Sequence, residues 1–157
     1  MRALSRLIAG LLICLALAAC GGGGGAGSDR QQITNLFNGI YTSMARGDFA
    51  GACGYLSQRQ QGNVVAGARR VGLNATSCSG ALTSLLKVTG VSRAQLAQAF
   101  GAAGIQRKVD SISIHGNQAT VTFTETSRGQ TYVETDALVR QGGRWRADRI
   151  LKRSQSG

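Results

Sequence analysis

The spacing of the apolar residues changes near residue 106, and this change constrains the fold more than any other feature of the sequence. From Gln106 onward apolar and polar residues alternate, as Ile112 and Ile114 do with their serine neighbours. Strict alternation is typical of a β-strand with one buried face. Turn residues interrupt this pattern three times, at residues 116–117, 128–129 and 142–143. The C-terminal half is therefore predicted to be a meander of four antiparallel strands.

Before residue 106 the apolar residues recur at helical spacing. The longest such stretch begins with a capping-box pattern, from Ser28 to Gln31, and ends at Gly47. Shorter helices are expected after Asp48, over residues 58–71, around residues 82–86, and after a second capping box at Ser92 and Gln95. A sheet with one apolar face needs a cover, which the helices provide. The predicted fold class is α+β, with N-terminal helices packed on a curved four-stranded antiparallel meander.

The first twenty residues have the features of a targeting segment. Arg2 and Arg6 precede an apolar run from Leu7 to Leu17, which is too short to span a bilayer as a helix. The following Leu17-Ala18-Ala19-Cys20 resembles the lipobox of bacterial lipoproteins. This resemblance implies cleavage before Cys20 and a lipid on its sulfur. A plain secretory signal with an accidental cysteine is the alternative.

The lipobox resemblance sets the expected organisation of the chain. Residues 1–19 are predicted to be the signal peptide, and residues 20–27 a lipidated cysteine and a glycine-rich tether. Residues 28–153 are expected to form a single domain, and residues 154–157 a disordered tail. The expected location is the extracytoplasmic face of the cell membrane, where the N-terminal lipid holds the chain.

The charge of the chain belongs mainly to this domain. The sequence has 18 Lys and Arg against 7 Asp and Glu, and loss of Arg2 and Arg6 leaves a net charge of +9. Nucleic-acid binding would favour several aromatic residues among the basic ones, but the C-terminal cluster contains only Trp145. The expected partners are anionic lipid or an anionic envelope polymer, with no nucleic acid. The cluster consists of Arg140, Arg144, Arg146, Arg149, Lys152 and Arg153.

Cysteine usage agrees with an extracytoplasmic protein. Cys14 leaves with the signal peptide and Cys20 takes the lipid, so Cys53 and Cys78 remain and are expected to form a disulfide. A metal pair is disfavoured because the spacing is not that of a zinc site. A catalytic thiol is disfavoured because His115, the single histidine, lies beside a turn. No metal, cofactor or catalytic residue is predicted.

The order of elements resembles the nuclear transport factor 2-like superfamily, a cone-shaped fold. The first helix ends in residues 45–49, Ala-Arg-Gly-Asp-Phe, a strand and turn run from Ile112 to Val121, and the last hairpin contains residues 142–146, Gly-Gly-Arg-Trp-Arg. The resemblance covers roughly residues 29–151 and extends to small secreted actinobacterial lipoproteins. It implies a cone with a concave pocket. It implies no single activity, because isomerases, dehydratases and binding modules share this fold.

The third predicted strand carries the strongest chemical signal. Tyr132, Glu134 and Asp136 share one face by alternation, and Glu125 is expected opposite Tyr132. If Leu138 packs on the last strand, these carboxylates point into the concave side, where an acid or base of the superfamily would lie. A β-bulge would instead leave them as solvated partners of basic residues, which is the reading that we favour here.

These signals predict a non-catalytic binding or accessory module at the cell envelope. Its ligand is expected to be a small apolar or amphipathic molecule in the concave pocket. One alternative is an isomerase-like or dehydratase-like enzyme that uses Asp136 or Glu134. A second alternative is a protein interaction module of a membrane complex.

Overall fold

Five helices precede four antiparallel strands in the computed structural model, which describes residues 26–101, 104–127 and 129–156. The helices are α1 (Ala26–Arg46), α2 (Phe49–Gly54), α3 (Gln58–Arg70), α4 (Cys78–Thr89) and α5 (Arg93–Phe100). The strands are β1 (Ile105–His115), β2 (Gln118–Ser127), β3 (Gln130–Gln141) and β4 (Arg144–Ser156). The predicted α+β class is confirmed. The signal peptide and Cys20 lie outside the described residues.

The four strands form one sheet in the order β1-β2-β3-β4, so each strand pairs with the next along the chain. The glycines of the predicted turns adopt positive φ, with Gly116 at 59° and Gly142 at 58°. Glycine tolerates this backbone region because it has no Cβ. The predicted meander is confirmed.

Two predicted boundaries are wrong. The expected tail from residue 154 continues β4 to Ser156, because Thr131 to Val133 at the start of β3 pair with these residues. Helix α1 begins at Ala26, two residues before the expected capping box, so the end of the predicted tether is helical. Gln32 Nε2 instead donates to Ser28 Oγ within the helix, 3.4 Å away.

Side-chain caps begin the other helices. Asp48 caps α2 by accepting from the N–H of Gly51, as predicted. Ser57 and Ser77 cap α3 and α4 in the same way. Ser92 forms a complete capping box at α5, also as predicted. Each cap satisfies an N–H group that has no partner within its helix.

The main core lies between α1 and the inner face of the sheet. Ile33, Leu36 and Phe37 of α1 pack against the strands. Gly39 lets α2 approach α1, because a Cβ at this position would lie 2.3 Å from the ring of Tyr55. The sheet contributes Ile112, Ala119, Val121, Phe123, Leu138 and Trp145.

A disulfide joins α2 to α4 through Cys53 and Cys78, which confirms the predicted bond. Helix α4 packs on both α2 and α3, and its contact with α3 centres on the small side chains of Ala68, Ala75 and Ala81. In the part of the chain that the structure describes, no helix is long and apolar enough to cross a membrane.

Candidate functional site

Three acidic side chains lie on the inner face of the sheet. Phe123 of β2 pairs with Glu134 of β3, and Val121 pairs with Asp136, so the carboxyl groups point toward the same side as core residues. The β2–β3 register is continuous from Gln118 to Ser127. Register shifts occur only where β1 pairs with β2 and where β4 pairs with β3. The favoured sequence reading, in which a bulge turns these carboxylates outward, is therefore wrong.

The carboxylates are almost completely removed from solvent. Glu125, Glu134 and Asp136 are 7%, 6% and 7% exposed. Burial of a carboxylate is costly unless nearby cations and hydrogen-bond donors stabilise the charge. The surroundings of each group therefore decide its protonation state.

Arg107 of β1 is the innermost cation of this cluster. Its guanidinium lies 3.8 Å from the ring centroid of Phe123, 4.4 Å from that of Tyr41 and 5.0 Å from that of Phe37. It donates to Glu125 Oε2 at 2.6 Å. The Tyr41 hydroxyl also contacts Arg107 and donates to the same carboxylate oxygen, 3.2 Å away. Burial raises the pKa of Tyr41, so this side chain stays a neutral donor.

Arg153 of β4 supplies a second cation from the rim. Its Nε lies 3.3 Å from Glu134 Oε2, and its Nη2 lies 3.4 Å from Glu125 Oε1. The guanidinium stacks on Tyr132, 4.6 Å from the ring centroid. Burial raises the pKa of Glu134, while Arg153 and then Arg107 oppose this shift.

Asp136 lacks a cation of its own. Burial, and then the negative charge of Glu134, raise the pKa of Asp136 to about 7. Contact with Glu134 contributes to this rise in pKa, so Asp136 is the carboxyl group of this pair that holds a proton near neutral pH. Its Oδ1 atom is buried and has no hydrogen-bond partner. An unsatisfied buried acceptor of this kind indicates a missing donor.

A cavity of about 140 Å³ lies in front of these two carboxyl groups. Tyr41, Gln60, Arg107, Glu134, Asp136 and Arg149 form its polar wall. Its apolar wall comes from Phe37, Ile40, Leu56, Ala147 and Ile150. The cone therefore contains a small, partly open space with apolar, acidic and basic surfaces.

Two of the three predicted pocket residues line this cavity, and Tyr132 does not. Tyr132 lies two residues closer to the β2–β3 turn than Glu134, so it is held at the rim beneath Arg153. Its hydroxyl donates to Gln130 Oε1 at 2.5 Å. His115 is exposed at its turn, and its Nε2 lies 3.0 Å from Ser113 Oγ.

Sequence reasoning missed Tyr41 and Arg107 as site residues. Tyr41 recurs at helical spacing with the apolar residues of α1, a pattern that is typical of core packing and gives no sign of a polar role. Arg107 alternates in phase with Ile105 and Val109, so a cation occupied an inward position of the strand pattern. A basic residue at an inward-facing position of a strand was the one sequence signal that could have identified Arg107 as a site residue. Among the described residues, no three His, Cys, Asp or Glu side chains are arranged to hold a metal ion.

No protein-family model matches this chain, and no curated protein matches it. Several solved structures are similar to it. An NTF2-like protein of unknown function from Shewanella baltica is 11% identical over 85% of this chain and 98% of its own, with a TM-score of 0.48. Another from Shewanella oneidensis is 16% identical, covering 82% of this chain and 98% of its own, also with a TM-score of 0.48.

A more distant match is an LEH-like epoxide hydrolase from M. tuberculosis. It is 12% identical over 75% of this chain and 82% of its own, with a TM-score of 0.33. Identities this low carry no statement about activity.

Proposed function

We propose that this chain is a lipoprotein of the cell envelope whose domain binds a small ligand in the cavity in front of Asp136. The observation that carries the proposal is at Asp136, which lines a cavity and whose buried Oδ1 atom has no hydrogen-bond partner among the described residues. A structural carboxyl group would normally be satisfied by the protein itself. A ligand that donates a hydrogen bond would complete this site.

The cavity defines the chemistry of the ligand. Asp136 Oδ1 has no hydrogen-bond donor among the described residues, so the ligand contributes a hydroxyl or amine donor. The opposite wall is apolar, which suits a hydrocarbon body. Typical ligand sites measure about 300–1,000 Å³, so 140 Å³ holds a compact molecule or one end of a longer one.

A larger groove offers space for the rest of a longer ligand. This groove of about 610 Å³ lies between α1, α5 and the start of β1. Tyr41 and Arg107 line both the groove and the cavity, so their side chains separate the two spaces. A longer ligand would have to pass these two side chains, and Arg107 is held by its ion pair with Glu125.

The cellular part of the proposal depends on Cys20. Its support is the apolar run followed by Leu17-Ala18-Ala19-Cys20 in the sequence. A lipid on Cys20 would hold the domain at the extracytoplasmic face of the membrane. Ligands that partition into or cross the membrane would then be concentrated near the cavity.

Native mass spectrometry of the purified chain tests the binding proposal. We expect a copurified small molecule in the wild type. Asp136→Asn retains an acceptor oxygen and can donate to Glu134, so it should keep the ligand. Asp136→Leu removes the acceptor and should lose it, while the exposed Asp110→Asn control should retain it. Equal ligand occupancy in Asp136→Leu and the wild type would reject this site.

Acid–base catalysis is a second candidate function. The supporting observation is the pKa of about 7 at Asp136, which matches a group that accepts a proton near neutral pH. An enzyme should lose turnover in Asp136→Asn without losing the bound molecule. Incubation of the recovered ligand with each variant, followed by mass spectrometry, distinguishes the two functions. Binding without any conversion by the wild type would exclude catalysis of that compound.

A further inference from the structure

A second groove of about 730 Å³ lies between α1, from Gln32 to Ser43, helix α2 and the β3–β4 turn. Gln32 and Asn35 come from α1, and Arg144, Trp145 and Arg146 come from the turn and the start of β4. None of the residues that line it also lines the acidic cavity. It is therefore a separate surface whose purpose the ligand cavity does not explain.

The groove carries positive charge that is not neutralised by the protein. Within the described ranges, neither Arg144 nor Arg146 forms an ion pair or a side-chain hydrogen bond. Asp48 is the single acidic residue of its lining, and its carboxylate accepts from the N–H of Gly51 at the start of α2. Two free guanidinium groups at a groove favour an anion with several oxygen atoms.

Trp145 supplies a second and independent observation. Its side chain lines the groove and is 3% exposed, and its Nε1–H is buried without an acceptor. Buried indole N–H groups usually have a partner. The amides of Gln32 and Asn35 stand across the same groove. The site thus combines cations with an unsatisfied donor and lacks only an acceptor.

One end of the groove, at Gln32 and Trp145, lies near the start of α1. Arg140 of β3 pairs with Asp29 in the first turn of α1 and stacks on Trp145. Cys20 precedes Ala26, the start of α1, by six residues. Even a fully extended chain of this length reaches only roughly 20 Å. A lipid on Cys20 would therefore keep this end of the domain close to the bilayer surface.

We propose that this groove binds the phosphate-bearing headgroup of an anionic phospholipid in the membrane that holds the chain. Arg144 and Arg146 would pair with the phosphate oxygens, and the N–H of Trp145 would donate to a further headgroup oxygen. This inference rests on the proposed lipid anchor for its choice of partner. Contact with the headgroup would fix the orientation of the domain on the membrane.

Trp145 is the only tryptophan of the chain, so its fluorescence reports directly on the groove. The purified full-length protein would be titrated with vesicles of phosphatidylcholine alone or with 30 mol% phosphatidylglycerol. The buffer would contain about 0.1 M salt, at which the Debye length is ~10 Å. Binding is measured in a Cys20→Ser background, because a lipid on Cys20 would insert into either kind of vesicle. We expect an emission change and flotation with anionic vesicles only. One basic residue near the membrane surface strengthens vesicle binding about fivefold. Arg144→Gln/Arg146→Gln removes two such residues and should therefore weaken vesicle binding about 30-fold.

A matched control removes the same charge elsewhere. Lys87→Gln/Lys152→Gln changes two exposed residues outside the groove and should bind anionic vesicles with at most a few-fold loss. Equal weakening by both double variants would show a diffuse charge effect and overturn the headgroup site. An equal emission change with inorganic phosphate at matched concentration would assign the groove to free phosphate and overturn the lipid assignment.

The anchor is measured separately, in the wild type. Recovery of the wild type from the soluble cell fraction would reject the lipid on Cys20. The vesicle titration still reads out the groove in that case, because added vesicles do not require the anchor. Loss of membrane fractionation and loss of headgroup binding are therefore distinguishable results.

Discussion

Arg107 is a cation in a setting that usually excludes charge. Three aromatic rings surround its guanidinium, and Glu125 neutralises it. Aromatic faces attract cations, and a short charge-assisted hydrogen bond offsets part of the desolvation cost. The carboxylate and the guanidinium therefore depend on each other, and removal of one leaves an uncompensated charge in the interior.

Arg107→Met is expected to lower the free energy of unfolding by about 3–5 kcal/mol, because Glu125 stays buried without its main cation. Arg107→Met/Glu125→Gln should recover most of this loss. Urea denaturation at neutral pH measures both values. Lys108→Met, at the exposed neighbouring position, should change stability by about 0.5 kcal/mol or less. A double variant as unstable as the single one would contradict the pairing.

Asp136 should make the folded chain less stable as pH rises. Its pKa is about 7 in the folded state against an ordinary value of 3.8, so the folded chain holds the extra proton between these values. The free energy of unfolding then falls as pH increases from about 4 to 7, by up to about 1.4 kcal/mol per pH unit, and levels off above this range.

Asp136→Asn should flatten this part of the profile, because the amide does not titrate. Chemical denaturation at a series of pH values from 4 to 9 measures the difference from the wild type. Asp110→Asn serves as the exposed control and should keep the wild-type slope. Parallel profiles for wild type and Asp136→Asn would mean that Asp136 ionises normally.

The residue scale also shows what the sequence could and could not predict at the site. Alternation along β3 was sufficient to place Glu134 and Asp136 on one face. It did not settle which face was buried, because bulges in neighbouring strands are not readable from one sequence. The approach of Tyr41 to Arg107 joins residues 66 positions apart, and such pairings depend on tertiary packing.

At the scale of elements, helix α4 depends strongly on its covalent link. It packs on α3 around small side chains and is joined to α2 by the disulfide. Small side chains bury little apolar area, so packing alone stabilises this helix weakly. The disulfide therefore carries an unusually large share of its attachment.

Cys53→Ala/Cys78→Ala is expected to lower the free energy of unfolding by about 3 kcal/mol, from the loss of a 25-residue cross-link. Hydrogen exchange should rise first in α4, while β2 and β3 keep their protection. A reductant should destabilise the wild type by a similar amount and leave the double variant unchanged. If the reductant also lowered the free energy of unfolding of the double variant, its effect on the wild type would not come from this disulfide alone.

Element types were predictable because the local signals were strong. The glycine turns fixed the hairpins, and side-chain caps at Asp48 and Ser92 fixed two helix starts. The ends of β4 and α1 were not predictable in the same way. Polar residues such as Ser154 resemble a tail in sequence, and they are ordered in the sheet because β3 extends far enough to pair with them.

At the scale of the whole molecule, the proposed anchor gives the simplest test. Cys20→Ser removes the sulfur that would carry the lipid and should move the chain from the membrane fraction to the soluble fraction. Cys14→Ser is the control, since that residue would leave with the signal peptide, and it should stay in the membrane fraction. Immunoblotting of fractionated cells measures both. Unchanged membrane retention of Cys20→Ser would reject the lipobox.

The cavity is built from the two ends of the described chain. Phe37 and Ile40 come from the first helix, whereas Ala147 and Ile150 come from the last strand. The cavity therefore does not exist until β4 has been synthesised and has joined the sheet. A nascent or partly translocated chain would lack the proposed ligand site. If the domain binds a ligand as proposed, uptake would have to wait for the last strand and would take place in the compartment where folding finishes.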